Sequence, residues 1–128
     1  MRKTRKMAIK FEELSGKIIE AAIKVHKILG PGFVESVYHS ALCIELENQG
    51  MKIERQKEVK IYYEGREVGL HRLDLIVEEQ IVVELKTVKQ WDDVHMAQLR
   101  SYLKATDLKI GLLLNFAKPT LQIKRVVS

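Results

Sequence analysis

A change of hydrophobic period constrains this chain more than any other feature. Phe11, Leu14, Ile18, Ala21, Val25 and Ile28 recur every three or four residues, the spacing of one helix face. Gly30-Pro31-Gly32 must end that helix, because proline lacks the N–H and glycine permits positive φ. A second helix is predicted from about Val34 to Gln49, with Gly50 as its C-terminal cap. Then the period becomes two. Val59, Ile61 and Tyr63 alternate with polar residues, and Glu64-Gly65 marks a turn. Strands are expected from about Val68 to Val77 and from Gln80 to Thr87. Asp92-Asp93 can cap a third helix reaching about Ala105. Leu108–Phe116 reads as a strand buried on both faces, and Leu121–Val127 as a last strand. The order α-α-β-β-β-α-β-β describes a mixed α/β domain.

A chain of 128 residues suits one such domain and can bury a core without disulfides or structural metal. The single cysteine, Cys43, excludes a disulfide framework and fits a reducing compartment. Apolar runs such as Leu112–Leu114 are far too short to cross a bilayer, which takes about 20 residues. No apolar signal core follows the basic start, so a cytoplasmic protein is expected, with no membrane partner. The charge is 22 basic against 17 acidic residues, a net +5, and Arg2, Lys3, Arg5 and Lys6 account for all but +1 of it. Residues 1–10 are therefore read as a basic arm and residues 11–128 as the domain. Clustered Lys and Arg suit nucleic-acid phosphates, and equally a solubilising tail.

The sharpest chemical signal lies in the hairpin. Asp74, Glu84 and Lys86 share parity, and a three-residue loop at Glu78-Glu79-Gln80 would pair Val77 with Ile81. That register sets Asp74 opposite Glu84, about 5 Å apart at Cβ. Leu73, Leu75, Val77, Ile81, Val83 and Leu85 would then form one apolar face beneath the pair. Two opposed carboxylates cost energy unless a cation lies between them. Oxygen donors without a Cys/His cluster favour Mg²⁺ or Mn²⁺ over zinc. An ordinary solvated strand, with Lys86 neutralising Glu84, is the competing reading.

Neighbouring segments add to the signal. On the third helix His95, Gln98 and Tyr102 fall on one face, with Met96, Leu99 and Leu103 on another. On the second, Glu35 shares a stripe with Tyr38, His39, Leu42 and Leu46, so it borders the core and wants a partner or an ion. Glu45 reads as a structural ion-pair partner and Cys43 as a core filler. Trp91 suits packing on the sheet more than stacking on a base. Arg72, His95 and His39 are candidates for contacting a nucleic acid. Arg72 equally suits a local carboxylate, and the histidines equally suit structural hydrogen bonds.

Gly32-Phe33-Val34-Glu35-Ser36-Val37-Tyr38 resembles the motif of the GxxExxY protein family. Ala41-Leu42, Glu45-Leu46, Gly50, Asp74-Leu75-Ile76-Val77, Glu84-Leu85-Lys86, His95-Met96-Ala97-Gln98, Ser101-Tyr102-Leu103-Lys104 and Gly111–Phe116 are similar to that family too. The resemblance covers about residues 11–127. It implies the PD-(D/E)XK nuclease superfamily and its RecB-like branch, whose fold is a central mixed β-sheet flanked by helices. It also implies a helix carboxylate at Glu35, the hairpin pair Asp74 and Glu84 with Lys86, and the helix pair Gln98 and Tyr102.

The expected function is a nuclease dependent on Mg²⁺ or Mn²⁺, with DNA ahead of RNA as substrate. Asp74, Glu84, the Leu85 carbonyl and Glu35 would hold the metal, Lys86 would position the water, and Gln98 and Tyr102 would orient the site. Nucleic-acid contacts would come from Arg72, His95, His39 and the arm residues Arg2, Lys3, Arg5 and Lys6. The alternative is a nuclease-fold module that binds nucleic acid or protein without turnover. A homodimer is left open.

Overall fold

The computed structural model describes residues 2–128, with side chains from residue 11 onward. Helix α1 (Arg2–Leu29) ends where Gly30 enters the left-handed region at φ 70°, its N–H returning to the His26 carbonyl at 2.8 Å. Arg2, Lys3, Arg5 and Lys6 fall in the first turns of α1, and their side chains lie outside those described. Helix α2 (Glu35–Asn48) starts after a second left-handed glycine, Gly32 at φ 111°. Tyr38 pins this turn from inside α2: its hydroxyl donates to the Gly30 carbonyl at 2.6 Å and accepts the Phe33 N–H at 3.1 Å. Fully buried, it also stacks on Phe116 with ring centroids 4.6 Å apart. The motif tyrosine thus determines where α2 begins, and with it the position of Glu35.

Strand β1 (Ile53–Tyr63) pairs antiparallel with β2 (Arg66–Val77) through the expected turn, Glu64 and Gly65 both having positive φ. Strand β1 starts at Ile53 rather than near Val59, because its charged first half is carried by ladder pairing to β2 and not by alternation. Strand β3 (Ile81–Lys86) follows, then α3 (Asp93–Thr106), β4 (Ile110–Asn115) and β5 (Gln122–Val127). The sheet order is β1-β2-β3-β4-β5, and β3 with β4 is its one parallel pair, joined by α3 as crossover. Helices α1 and α2 cover one face and α3 the other, so the sheet has two cores. Gly111 is required in β4: a Cβ there would lie 2.8 Å from a Leu99 methyl, so its absence lets α3 close on the sheet. Burying a leucine such as Leu99 contributes about 1.5–3 kcal/mol.

Strands β2 and β3 pair only at Leu75–Val83, Ile76–Val82 and Val77–Ile81, the register expected for the hairpin. Beyond Leu75 the two strands part, and β1 with β2 continues as a two-stranded arm. Leu73 corrects the expectation of a single apolar face. Leu75, Val77, Ile81, Val83 and Leu85 pack beneath α1 and α2, but Leu73 packs with Ile76, Leu99 and Tyr102 in the core under α3. His71 follows Leu73 to that side, its ring edge-on to Tyr102 at 5.0 Å. The faces of β2 therefore invert at Asp74.

Candidate active site at the parting of β2 and β3

Asp74 occupies the break. Its N–H donates to Glu84 Oε1 at 3.1 Å, and its carbonyl meets His39 Nε2 at 2.8 Å. Both main-chain groups have left the sheet ladder for side-chain partners, so neither is orphaned. In return, Asp74 Oδ2 accepts the N–H of Leu85 at 3.0 Å. Each carboxylate is thus oriented by backbone on the opposite strand. In an extended strand a residue's N–H and C=O point to the same side, so the Leu85 carbonyl also faces the gap. The next residue confirms the alternation, since the Lys86 carbonyl accepts the Phe116 N–H on the β4 side.

Glu84 is 5% exposed, and burial, followed by the Asp74 charge, pushes its pKa up to about 9. At neutral pH, without a cation, Glu84 is a neutral acid beside the Asp74 carboxylate, which relieves the like-charge contact. Glu35, half-buried in the first turn of α2, is also raised, by burial first and then by Asp74, while Lys86 and His39 oppose the shift. Tyr102 is raised by burial and then by Glu84 and Asp74. The fold has therefore gathered Glu35, Asp74, Glu84, Lys86 and Tyr102 from α2, β2, β3 and α3 around one gap. Gln98, one turn before Tyr102, is exposed.

The donor set has the chemistry of a hard divalent cation: two adjacent carboxylates, a main-chain carbonyl, no thiolate. Among the described residues no three acidic, imidazole or thiolate side chains already converge as a metal cage. Asp74 and Glu84 are the central pair, and Glu35 faces them from the helix rather than completing a cluster. The raised pKa values of Glu84 and Glu35 fit a site where a cation replaces a proton.

The remaining candidates divide. His39, 7% exposed and bonded to the Asp74 carbonyl, ties α2 to β2 rather than presenting itself to a nucleic acid. His95 Nδ1 accepts the Asp92 N–H at 3.2 Å while Asp92 Oδ1 accepts the Val94 N–H, so it belongs to the capping box of α3. Arg72 is exposed and pairs with Glu58 across the β1–β2 arm at 3.2 Å, the local-carboxylate role. Trp91 packs against the α3 core, Cys43 is buried, and Glu45 pairs with Lys24 at 3.1 Å, as expected.

Two contributors escaped the sequence reading. Buried Asn115 stands beside Lys86 in the parallel ladder and clamps Val88, accepting its N–H at 3.0 Å and donating to its carbonyl at 2.8 Å. It thereby holds the chain leaving β3. Its signal was a lone amide closing the apolar run of β4. The other is Gln56, in β1 across from Asp74, whose φ is 49°. No residue type announces that conformation.

The family model described as the PD-(D/E)XK nuclease superfamily matches residues 12–126. Among solved structures, the crystal structure of SSO0001 superposes with a TM-score of 0.58 at 22% identity, covering 73% of this chain and 49% of that one. The chain thus spans about half the length of that solved structure. This likeness is one of fold: a mixed five-stranded sheet flanked by three helices. No curated protein matches by sequence. Among the described residues no helix is long and apolar enough to cross a membrane.

Proposed function

The chain belongs to the PD-(D/E)XK nuclease superfamily, and from that premise we propose that it hydrolyses phosphodiester bonds with the help of Mg²⁺ or Mn²⁺, in DNA ahead of RNA. The observation that carries this reading is the reciprocal pair at the parting of β2 and β3. Asp74 and Glu84 are each oriented by the other strand's backbone, with Glu35, Lys86 and Tyr102 around them. The motif Gly32–Tyr38 further supports placement with the GxxExxY proteins, and Gln98 with Tyr102 supports the RecB-like branch.

Asp74, Glu84, the Leu85 carbonyl and Glu35 would hold the cation. The bound cation would polarise a phosphoryl oxygen and lower the pKa of the attacking water. Glu84 would release its proton to solvent in order to hold the cation. Lys86, on the strand end beside the pair, orients the water and balances charge building on the phosphate. Tyr102 presents its hydroxyl from α3, and exposed Gln98 extends the same face toward substrate. Arg72 and the basic residues Arg2, Lys3, Arg5 and Lys6 would hold phosphates away from the scissile bond.

The test is cleavage of single-stranded, duplex and flapped DNA and matching RNA with Mn²⁺ or Mg²⁺. Cation-dependent cleavage that disappears in Asp74→Ala supports the proposal. Tight nucleic-acid binding with no cleavage of any substrate would replace it with a binding module on a nuclease fold.

A further inference from the structure

We infer that Gln56 is a positioning residue for this site: its left-handed backbone on β1 turns Asp74 out of the sheet ladder. The inference rests on the active-site reading above and extends it to a residue outside the gap. Three observations coincide. Gln56 has φ 49° in the middle of a strand, where non-glycine residues rarely adopt the left-handed region. In the β1–β2 ladder Arg55 pairs with Leu75 and Lys57 with Leu73, which leaves Gln56 and Asp74 facing each other as the one unpaired step between them. The apolar faces of β2 invert at that same step, Leu75 packing under α1 and α2 and Leu73 under α3.

These facts have one geometric cause. An extended residue at position 56 would continue the ladder and the strict alternation, sending Leu73 and Leu75 to the same face. The Asp74 N–H and C=O would then be drawn into sheet pairing. A left-handed residue on β1 instead lets both strands slip by one face together without changing register. Asp74 is freed on both sides, and Glu84 and His39 take up its main-chain groups. Strain of this kind persists where surrounding structure over-determines it, as at functional sites.

The device is the backbone, so side-chain chemistry at position 56 should matter less than tolerance of positive φ. Gln56→Gly accepts the left-handed region freely, whereas Gln56→Val resists it. Two measurements read the outcome: calorimetric titration with Mn²⁺ alone, and amide hydrogen exchange in the cation-free protein. In Gln56→Gly, Mn²⁺ affinity and protection of the Leu85 amide should stay within about twofold of wild type. In Gln56→Val, Mn²⁺ affinity should fall by at least about tenfold, and Leu85 protection should drop while Phe116, bonded on the other side of β3, keeps its own.

A valine variant with wild-type Mn²⁺ affinity and Leu85 protection overturns the inference. So does a glycine variant that loses either one, since the side chain would then be the cause; this arm decides the matter even where the valine variant does not fold. If wild type itself binds no Mn²⁺, the metal reading fails, and the exchange pattern alone still decides the role of Gln56.

Discussion

His39 Nε2 lies 2.8 Å from the carbonyl oxygen of Asp74, which bonds the helix bearing Glu35 to the strand residue that Glu35 faces. His39 follows Glu35 by one helical turn, so one short stretch of α2 supplies both an acid and its anchor. The bond also satisfies a carbonyl that the break in the ladder would otherwise leave buried and unpaired.

Removing that anchor should therefore cost stability. His39→Ala is expected to lower unfolding free energy by about 1–3 kcal/mol, the cost of leaving the Asp74 carbonyl without a donor. His39→Gln, which can donate from its amide, should recover part of the loss. Urea denaturation checks this, and a loss below about 0.5 kcal/mol, the lower bound for a typical hydrogen bond, would show that the bond contributes little.

Glu84 should make the cation-free protein less stable as pH rises. Its folded-state pKa, about 9, lies above the ordinary 4.5, so between those values the folded chain keeps a proton that the unfolded chain has lost. Its contribution is full below the ordinary carboxylate range and is lost progressively up to about pH 9, with a slope of at most about 1.4 kcal/mol per pH unit. Glu84→Gln, permanently neutral, should remove this slope. Parallel stability profiles for the two proteins would contradict the assignment.

Cation binding should run against that proton. Mn²⁺ is expected to raise the melting temperature, and more at pH 8 than at about pH 6, because Glu84 must deprotonate to bind it. Thermal scans at several pH values with millimolar Mn²⁺ test this. A shift independent of pH would place the cation elsewhere.

The hairpin residues should separate binding from turnover. Lys86→Ala is expected to reduce cleavage on the order of 10²–10³-fold while Mn²⁺ affinity is largely kept, as for loss of one group that stabilises developing charge. Asp74→Ala should abolish both. Above about pH 9, where Glu84 is ionised, Asp74→Asn should leave the cation-free fold at least as stable, since the amide oxygen can still accept the Leu85 N–H while repulsion with Glu84 is relieved. Single-turnover kinetics beside calorimetry distinguish these outcomes. Wild-type Mn²⁺ binding in Asp74→Ala would remove Asp74 from the site.

The basic start of the chain should act through salt. Deleting residues 1–6 is expected to weaken DNA binding and to flatten its dependence on salt by up to about 3–4 in the log–log slope, if all four basic side chains meet phosphates. Equal slopes for the shortened and full chains would make the segment a solubilising tail. Fluorescence anisotropy across a salt series gives the answer.

Much of the architecture was legible because short-range rules produce it. The helical period of Phe11–Ile28, the stop at Gly30-Pro31-Gly32 and the Asp92 cap each depend on residues within a few positions. The hairpin register was legible too, since the loop after Val77 sets which residues pair. Asp74 and Glu84 could thus be placed opposite each other by counting, and Glu45 and Cys43 given structural roles from their helix stripe.

The element order, that register and the identity of the acids all follow from the residues alone. How the acids are held emerges only in the folded chain, because each depends on groups distant in sequence. The Asp74 main chain turns from the ladder to Glu84 and His39, which requires β3 and α2 to be in place. Leu73 changes face because Gln56, on another strand, takes a left-handed backbone that no local pattern encodes. Glu84 becomes a weak acid only once the sheet and α3 exclude water from it. Alternation is a property of one strand, whereas a break in alternation at Asp74 is a property of three strands and a helix meeting at one residue.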